Sequence, residues 1–252
     1  MDNAFIAKEF KWDCRSLRPR QRLLSRVVER VLKLQLAPLS FCWENANVEA
    51  RMNVFHLVSQ TAFYRVPGDV VEIGCNSGEM SIVIRKVLDT YAPHKTLHVY
   101  DSFEGLPEPA GDDSSNGIYK SGDMSASRRV LVGRFEQLGL DLPHIHQGWF
   151  EDTIPSQMPD QISFAYIDAD LYSSTKHVLP HVYARLSPGA ICAFGVYYDE
   201  TVFRRDETWD TFKSPGVKRA TDEFFADKPE SVSVLYANEY SNGYFRKSLD
   251  EA

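Results

Sequence analysis

The sequence predicts an α/β fold built on a mostly parallel, doubly wound sheet with an antiparallel edge hairpin and an N-terminal helical extension. Three observations carry this reading. From Asp69 onward, short apolar runs alternate with amphipathic stretches of helical length, as strands and crossover helices do. The first run ends in the glycine-bearing turn VVEIGCNSGE (70–79), which opens a helical pattern. The last two runs flank Tyr240-Ser241-Asn242-Gly243, a turn suited to an antiparallel return.

The elements follow in order. In Pro19–Leu36 the residues Leu23, Leu24, Val27, Val28, Val31 and Leu32 recur at three-to-four spacing with arginines between them, which predicts an amphipathic helix. Its arginines read as a solvated face, because the chain as a whole is acidic. A second helix is predicted over Val48–Tyr64. Residues 1–65 thus form a helical cap that offers a surface for self-association into a homo-oligomer, and 66–252 the main domain. Within that domain, strands are expected at Asp69–Ile73, Thr96–Tyr100, His144–Gln147, Ser163–Ile167, Ala190–Phe194, Val232–Ala237 and Gly243–Lys247. Helices are expected at Gly78–Thr90, Ser125–Leu138, Ser173–Ala184 and Lys218–Asp227. The stretch Pro107–Asp123, rich in turn formers, reads as a long loop of the kind that covers a site.

Composition narrows the ligand. Among 252 residues, Lys+Arg number 28 against Asp+Glu 35, a net charge of -7, which argues against a nucleic-acid or anionic-membrane partner. A small molecule is the expected partner. No apolar run approaches the roughly 20 residues needed to span a bilayer, and MDNAFIAKEF lacks the apolar core of a signal peptide, so a cytoplasmic protein is expected. Cys14, Cys42, Cys75 and Cys192 show no C-x-x-C spacing and read as reduced thiols.

The glycine turn matches neither phosphate loop. A dinucleotide fingerprint needs a third glycine at the helix start, and a Walker loop ends in Gly-Lys-Ser/Thr, where this chain has Glu79. Acids on both sides of the turn would repel a phosphate, so the ligand is cationic or neutral. In a parallel sheet, ligands bind at the carboxyl ends of the strands. Three acids fall there: Glu72, Asp101 and Asp168. A carboxylate at the end of the second strand suits ribose hydroxyls, and Glu72 suits an ammonium or sulfonium. Together they describe S-adenosylmethionine.

Several runs then become familiar as a set: VPGDVVEIG (66–74), VYDSFEGLPEP (99–109), GWFEDTIP (148–155), YIDADLYSST (166–175), LSPGA (186–190) and GVKRATDEFF (216–225). Over roughly residues 45 to 250 the chain resembles the macrocin O-methyltransferase family. The resemblance implies a Rossmann-like class I methyltransferase fold, methyl transfer from S-adenosylmethionine to a hydroxyl of a specialised metabolite, a divalent metal and a lid over the acceptor. It assigns Gly74 and Gly78 to close approach of the cofactor, with Asn76 and Ser77 walling its methionine end. Asp101 takes the ribose, Ser102 lies beside it, Gly148 and Trp149 line the adenine, and Asp168 matches the family's first metal-binding aspartate.

Two departures stand out. The family's loop commonly carries a Trp-Arg pair where this chain has Cys75-Asn76-Ser77. More consequential is AICAFGVYYDE (190–200), in which Gly195 and Val196 replace the paired acids that complete the metal site. Neither side chain offers magnesium an oxygen. Asp199 and Glu200 follow on the order of 10 Å further along an extended chain, and a loop folding back would be needed to bring them in. The expectation is therefore a site with no metal ligands and S-adenosylmethionine as the cofactor. Candidate general bases are Asp168, Asp170, His146 and His177, the histidines having an ordinary pKa near neutrality. Two functions stay open: a metal-independent methyltransferase, or an enzyme that keeps the cofactor pocket for a rearrangement or cyclisation. Intact Glu72, Gly74, Gly78 and Asp101 argue against a scaffold without chemistry.

Overall fold

The computed structural model describes residues 47–116, 119–197, 214–237 and 241–249, with three further helical positions at 27, 30 and 31. Most of the predicted Pro19–Leu36 helix, and both Asp199 and Glu200, lie outside the described residues. The chain divides into two compact units, Met1–Asn45 and Ala46–Ala252. The helix over 48–63 therefore belongs to the sheet unit, although the sequence reading grouped it with the extension.

That unit runs α1 (Val48–Phe63), β1 (Asp69–Ile73), α2 (Glu79–Tyr91), β2 (Leu97–Asp101), α3 (Arg128–Leu138), β3 (His144–Gln147), α4 (Phe150–Gln157), β4 (Ile162–Ile167), α5 (Tyr172–Tyr183), β5 (Leu186–Phe194), α6 (Pro215–Phe225), β6 (Ser233–Leu235) and β7 (Asn242–Arg246). The strands form one seven-stranded sheet in the order β3-β2-β1-β4-β5-β7-β6. β7 is antiparallel to both its neighbours, and the pairs from β3 to β5 are parallel. The closing hairpin is as expected in kind. Its second strand, however, slots in between β5 and β6 rather than forming the outer edge.

The apolar pattern follows from position. β4 reads ISFAYI and is buried at all its positions, as a central strand covered on both faces must be, whereas the edge strand β3 reads HIHQ and is half open to solvent. α1 is capped by Asn47, whose side chain accepts from the Ala50 amide at 2.7 Å. α4 escaped the sequence reading because it has only eight residues, holds Pro155 inside, and begins at Trp149 without a capping side chain. α6 starts three residues before its predicted start because Pro215 takes a first-turn position, where proline is favoured. No helix of the described residues is long and apolar enough to cross a membrane.

The core cluster joins Val71, Ile73, Ile167 and Phe194 of the sheet to Val178, Leu179 and Val182 of α5, each fully buried. Each such side chain contributes about 1.5–3 kcal/mol by leaving water. This packing fixes the strand ends at one level. The Gly74 amide donates to Tyr100 (2.9 Å), Gly148 to Asp101 (3.0 Å), Asp168 to Ile73 (2.8 Å) and Gly195 to Ile167 (2.8 Å), so the ladder continues one residue past β1, β3, β4 and β5. The strand order grows outward in opposite directions from β1 and β4, which makes the edge above them the switch point where such sheets bind ligands.

Candidate active site

Glu72, Asp101 and Asp168 do converge on this edge, and they sense one another. The Glu72 carboxyl lies well above the usual carboxylate range, chiefly through burial, with Asp168 and Asp101 adding repulsion and the Ser81 hydroxyl, which donates to it, opposing. Glu72 is only 1% exposed, under the first turns of α2. Its carboxyl is therefore shielded from solvent. A buried acid whose folded pKa is raised holds its proton longer in the folded than in the unfolded state, so stability falls as pH rises past the unfolded value. Glu72→Gln keeps an acceptor for Ser81 and removes the buried charge. It is expected to raise the Tm of the ligand-free protein at pH 8, by about 2–4 °C per kcal/mol relieved, with the gain shrinking toward pH 4. A Tm difference independent of pH would show that the carboxyl is not the cause.

Asp101 is held on both oxygens. Oδ2 accepts from the Asn76 amide at 2.8 Å and Oδ1 from the Phe103 amide at 2.7 Å. Burial raises its pKa, and these amide bonds oppose the rise. The Cys75 amide adds a third such contribution, and a carboxylate with about four acceptor sites still has capacity for a hydroxyl donor. Asn76 holds the turn in the left-handed region (φ 46°), its side chain accepting from Ser77 at 2.7 Å and donating to the Met124 carbonyl at 2.7 Å.

For Gly74 and Gly78 the structure supplies a reason within the protein, distinct from approach of a cofactor. A Cβ on Gly74 would meet the Asp168 carbonyl oxygen at 2.0 Å, and one on Gly78 would meet Leu131 Cγ of α3 at 2.8 Å. Ser102 is likewise occupied: its hydroxyl donates to Gly105 O and accepts from the Glu104 amide, both at 3.0 Å, shaping the S-F-E-G turn. That turn opens the stem of the long loop, closed by Leu106 N to Asp123 O (2.8 Å) and Gly122 N to Leu106 O (2.9 Å). Gly148 follows β3 beside Asp101, and Trp149 is half-buried at the start of α4.

Asp168 is half-buried past the end of β4. Burial, and then the neighbouring Asp170, push its pKa up to about 8. Its carboxyl group fills the space in which a side chain at 195 would begin: a Cβ there would lie 2.3 Å from Oδ1 and 2.4 Å from Cγ. Asp170, at φ 57°, accepts from the Ser214 hydroxyl at 2.9 Å, and Ser214 is in turn 2.7 Å from the Tyr119 hydroxyl of the long loop. Tyr172 is packed, its ring beneath Arg219 (4.2 Å) and its hydroxyl donating to Glu223 at 2.6 Å. Among the described residues, no group of three or more His, Cys, Asp or Glu side chains is arranged to hold a metal ion.

His146 is not brought to Asp168. His146 lies on the edge strand, three strand spacings or about 14 Å from β4. It stacks on Tyr100 (4.4 Å) and bonds His98 and Gln157, each at 3.0 Å. The period-2 pattern of β3 puts that side chain on the sheet face covered by α4. His177 sits on the second turn of α5 with its ring 5.4 Å from that of His181, and its Nε2 is buried. Sequence reading missed Asp113. Its carboxylate accepts from the amides of Tyr172 (2.7 Å) and Ser173 (3.1 Å), capping α5 from the long loop, while Asp112 pairs with Arg219 of α6 at 2.5 Å. The available signal was negative: Leu171 precedes α5, so the helix has no capping side chain of its own.

Comparison with known proteins bears on the family and the fold. The sequence model of the family described as Macrocin-O-methyltransferase (TylF) matches residues 47–219. The chain is 32% identical over 155 residues to mycinamicin III 3''-O-methyltransferase of Micromonospora griseorubida, covering 58% of this chain and 61% of that protein. It is 34% identical over 140 residues to 8-demethyl-8-(2,3-dimethoxy-alpha-L-rhamnosyl)-tetracenomycin-C 4'-O-methyltransferase of Streptomyces olivaceus, covering 52% and 54%. The matches thus span about three-fifths of the first relative and little over half of the second. Among solved structures, the O-methyltransferase NovP superposes with TM-score 0.66 at 24% identity, over 80% of this chain and 81% of that one. The calicheamicin methyltransferase CalS11 gives 0.61 at 20% identity, over 93% and 96%. The fold is that of class I methyltransferases, and the chain belongs to the macrocin O-methyltransferase family.

Proposed function

We propose that this protein transfers the methyl group of S-adenosylmethionine to a hydroxyl of a small specialised metabolite, and that it works without the divalent metal of its family. The observation that carries the reading is the convergence of Glu72, Asp101 and Asp168 at the switch point, beside the turn Cys75–Gly78. S-adenosylmethionine, when bound, supplies an electrophilic methyl group on a positive sulfonium, and an edge lined by acids favours that charge. Asp101 has acceptor capacity for a ribose hydroxyl, the loop 75–78 flanks the methionine end, and Gly148 with Trp149 borders the adenine. Asp168 takes the proton of the acceptor hydroxyl: a carboxyl held near 8 accepts a proton more strongly than an ordinary carboxylate. The relatives' names, a 3''-O- and a rhamnosyl 4'-O-methyltransferase, support a sugar hydroxyl as the acceptor.

The described residues do not fit the metal. The carboxyl of Asp168 occupies the start of the side-chain path at 195, so the two cannot both carry acids in this arrangement. The long loop, docked through Asp113 on α5 and Tyr119 on Ser214, closes over the acceptor. The net charge of -7 supports a small-molecule acceptor over nucleic acid, in the cytoplasm.

The test is incubation with methyl-labelled S-adenosylmethionine and a panel of glycosides with free sugar hydroxyls. Label recovered in an O-methyl group, with release of S-adenosylhomocysteine, is the expected result. An isomerised or cyclised product without label transfer would overturn the reading. In the same mixtures, proteolytic cutting within 107–123 should fall only when S-adenosylhomocysteine and acceptor are both present.

A further inference from the structure

Three elements meet beside the glycine turn: α1 brings Arg51, α3 brings Arg134 and the first residue of α2 is Glu79. Arg134 Nη1 donates to the Ser77 hydroxyl at 3.0 Å and lies 3.4 Å from Glu79 Oε1, while Arg51 Nη2 lies 3.5 Å from Glu79 Oε2. Each guanidinium addresses a different oxygen, so the two already bracket one carboxylate. The guanidiniums keep 26% and 28% side-chain exposure against 9% for Glu79, so an incoming anion meets them first.

We infer that Arg134, assisted by Arg51, seats the α-carboxylate of the cofactor's methionine end, with Glu79 holding that seat when it is empty. The inference rests on the proposed function. The methionine end carries an ammonium, a sulfonium and one carboxylate. Glu72, Asp101 and Asp168 suit the first two and repel the third, which needs a cationic seat on the far side of the turn. Arg134 places a guanidinium at the Ser77 hydroxyl, on the glycine turn, from a neighbouring helix. A planar, two-pronged donor is the group best shaped for a carboxylate.

Calorimetry on the full chain with two probes tests this. S-adenosylhomocysteine has the carboxylate, whereas 5'-methylthioadenosine lacks the whole amino-acid end. Arg134→Gln is expected to weaken S-adenosylhomocysteine at least tenfold and leave methylthioadenosine within about twofold. Glu79→Gln, which removes the competing carboxylate, should tighten S-adenosylhomocysteine several-fold. An Arg134→Gln variant that weakens both probes equally has lost structure rather than a ligand contact, and overturns the inference; so does one that changes neither. A parent protein that binds neither probe refutes the methyltransferase reading and this inference together.

Discussion

Asp101→Ala is expected to lower the affinity for S-adenosylhomocysteine by about ten- to a hundredfold. A hydrogen bond from a ribose hydroxyl to an ionised carboxylate is worth roughly 1.5–3 kcal/mol, and every 1.4 kcal/mol or so is a factor of ten. The carboxylate does a second job in this structure. It anchors the amides of Asn76 and Phe103, two residues with positive φ, so its loss also releases the turns on both sides of the ribose. Asp101→Asn is the instructive companion. It keeps the shape but turns one acceptor into a donor facing an amide, so it should recover little of the lost affinity. Calorimetry on the two variants decides the matter: parental affinity in Asp101→Ala would remove Asp101 from the ribose.

The strand-end acids were legible for a simple reason. In a parallel sheet every strand delivers its carboxyl end to the same edge, so Glu72, Asp101 and Asp168 had to meet once the strands were placed. Strand placement came from apolar runs such as ISFAYI, whose burial on both faces leaves little ambiguity. What one sequence withholds is the direction of a side chain and its distant partners. His146 is one residue before the end of β3, near enough in sequence to suggest catalysis, yet its side chain turns to Tyr100 and Gln157 on the α4 face. Gly74 looked like an accommodation to a cofactor, but the nearest obstacle is the Asp168 carbonyl, and no local pattern names a partner so far along the chain. Asp113 capping α5 is invisible for the same reason: capping rules look a few residues away, and this cap arrives from another loop.

The sequence reading took Gly195 for a missing metal ligand; the steric role of the position was not legible. Gly195 has no positive φ, so alanine there meets no backbone strain, only the Asp168 carboxyl, 2.3 Å from the new Cβ at Oδ1. The carboxyl must turn away. Displacing a reacting group by about 1 Å costs on the order of a hundredfold in rate. Gly195→Ala is therefore expected to lose at least about a hundredfold in kcat while its affinity for S-adenosylhomocysteine, set at Asp101 across the edge, stays near that of the parent. If Asp168 acts as a proton acceptor and not as a metal ligand, the parent should also retain its activity after exhaustive chelation. Activity that disappears with chelator and returns with magnesium, manganese or calcium would assign Asp168 to a metal site completed from outside the described residues, by Asp199 or Glu200. In that case Gly195 would be a gap left for the relocated ligand, and the Gly195→Ala variant would lose metal affinity in proportion to its rate. With metal-independent turnover, the same variant would respond identically with and without chelator.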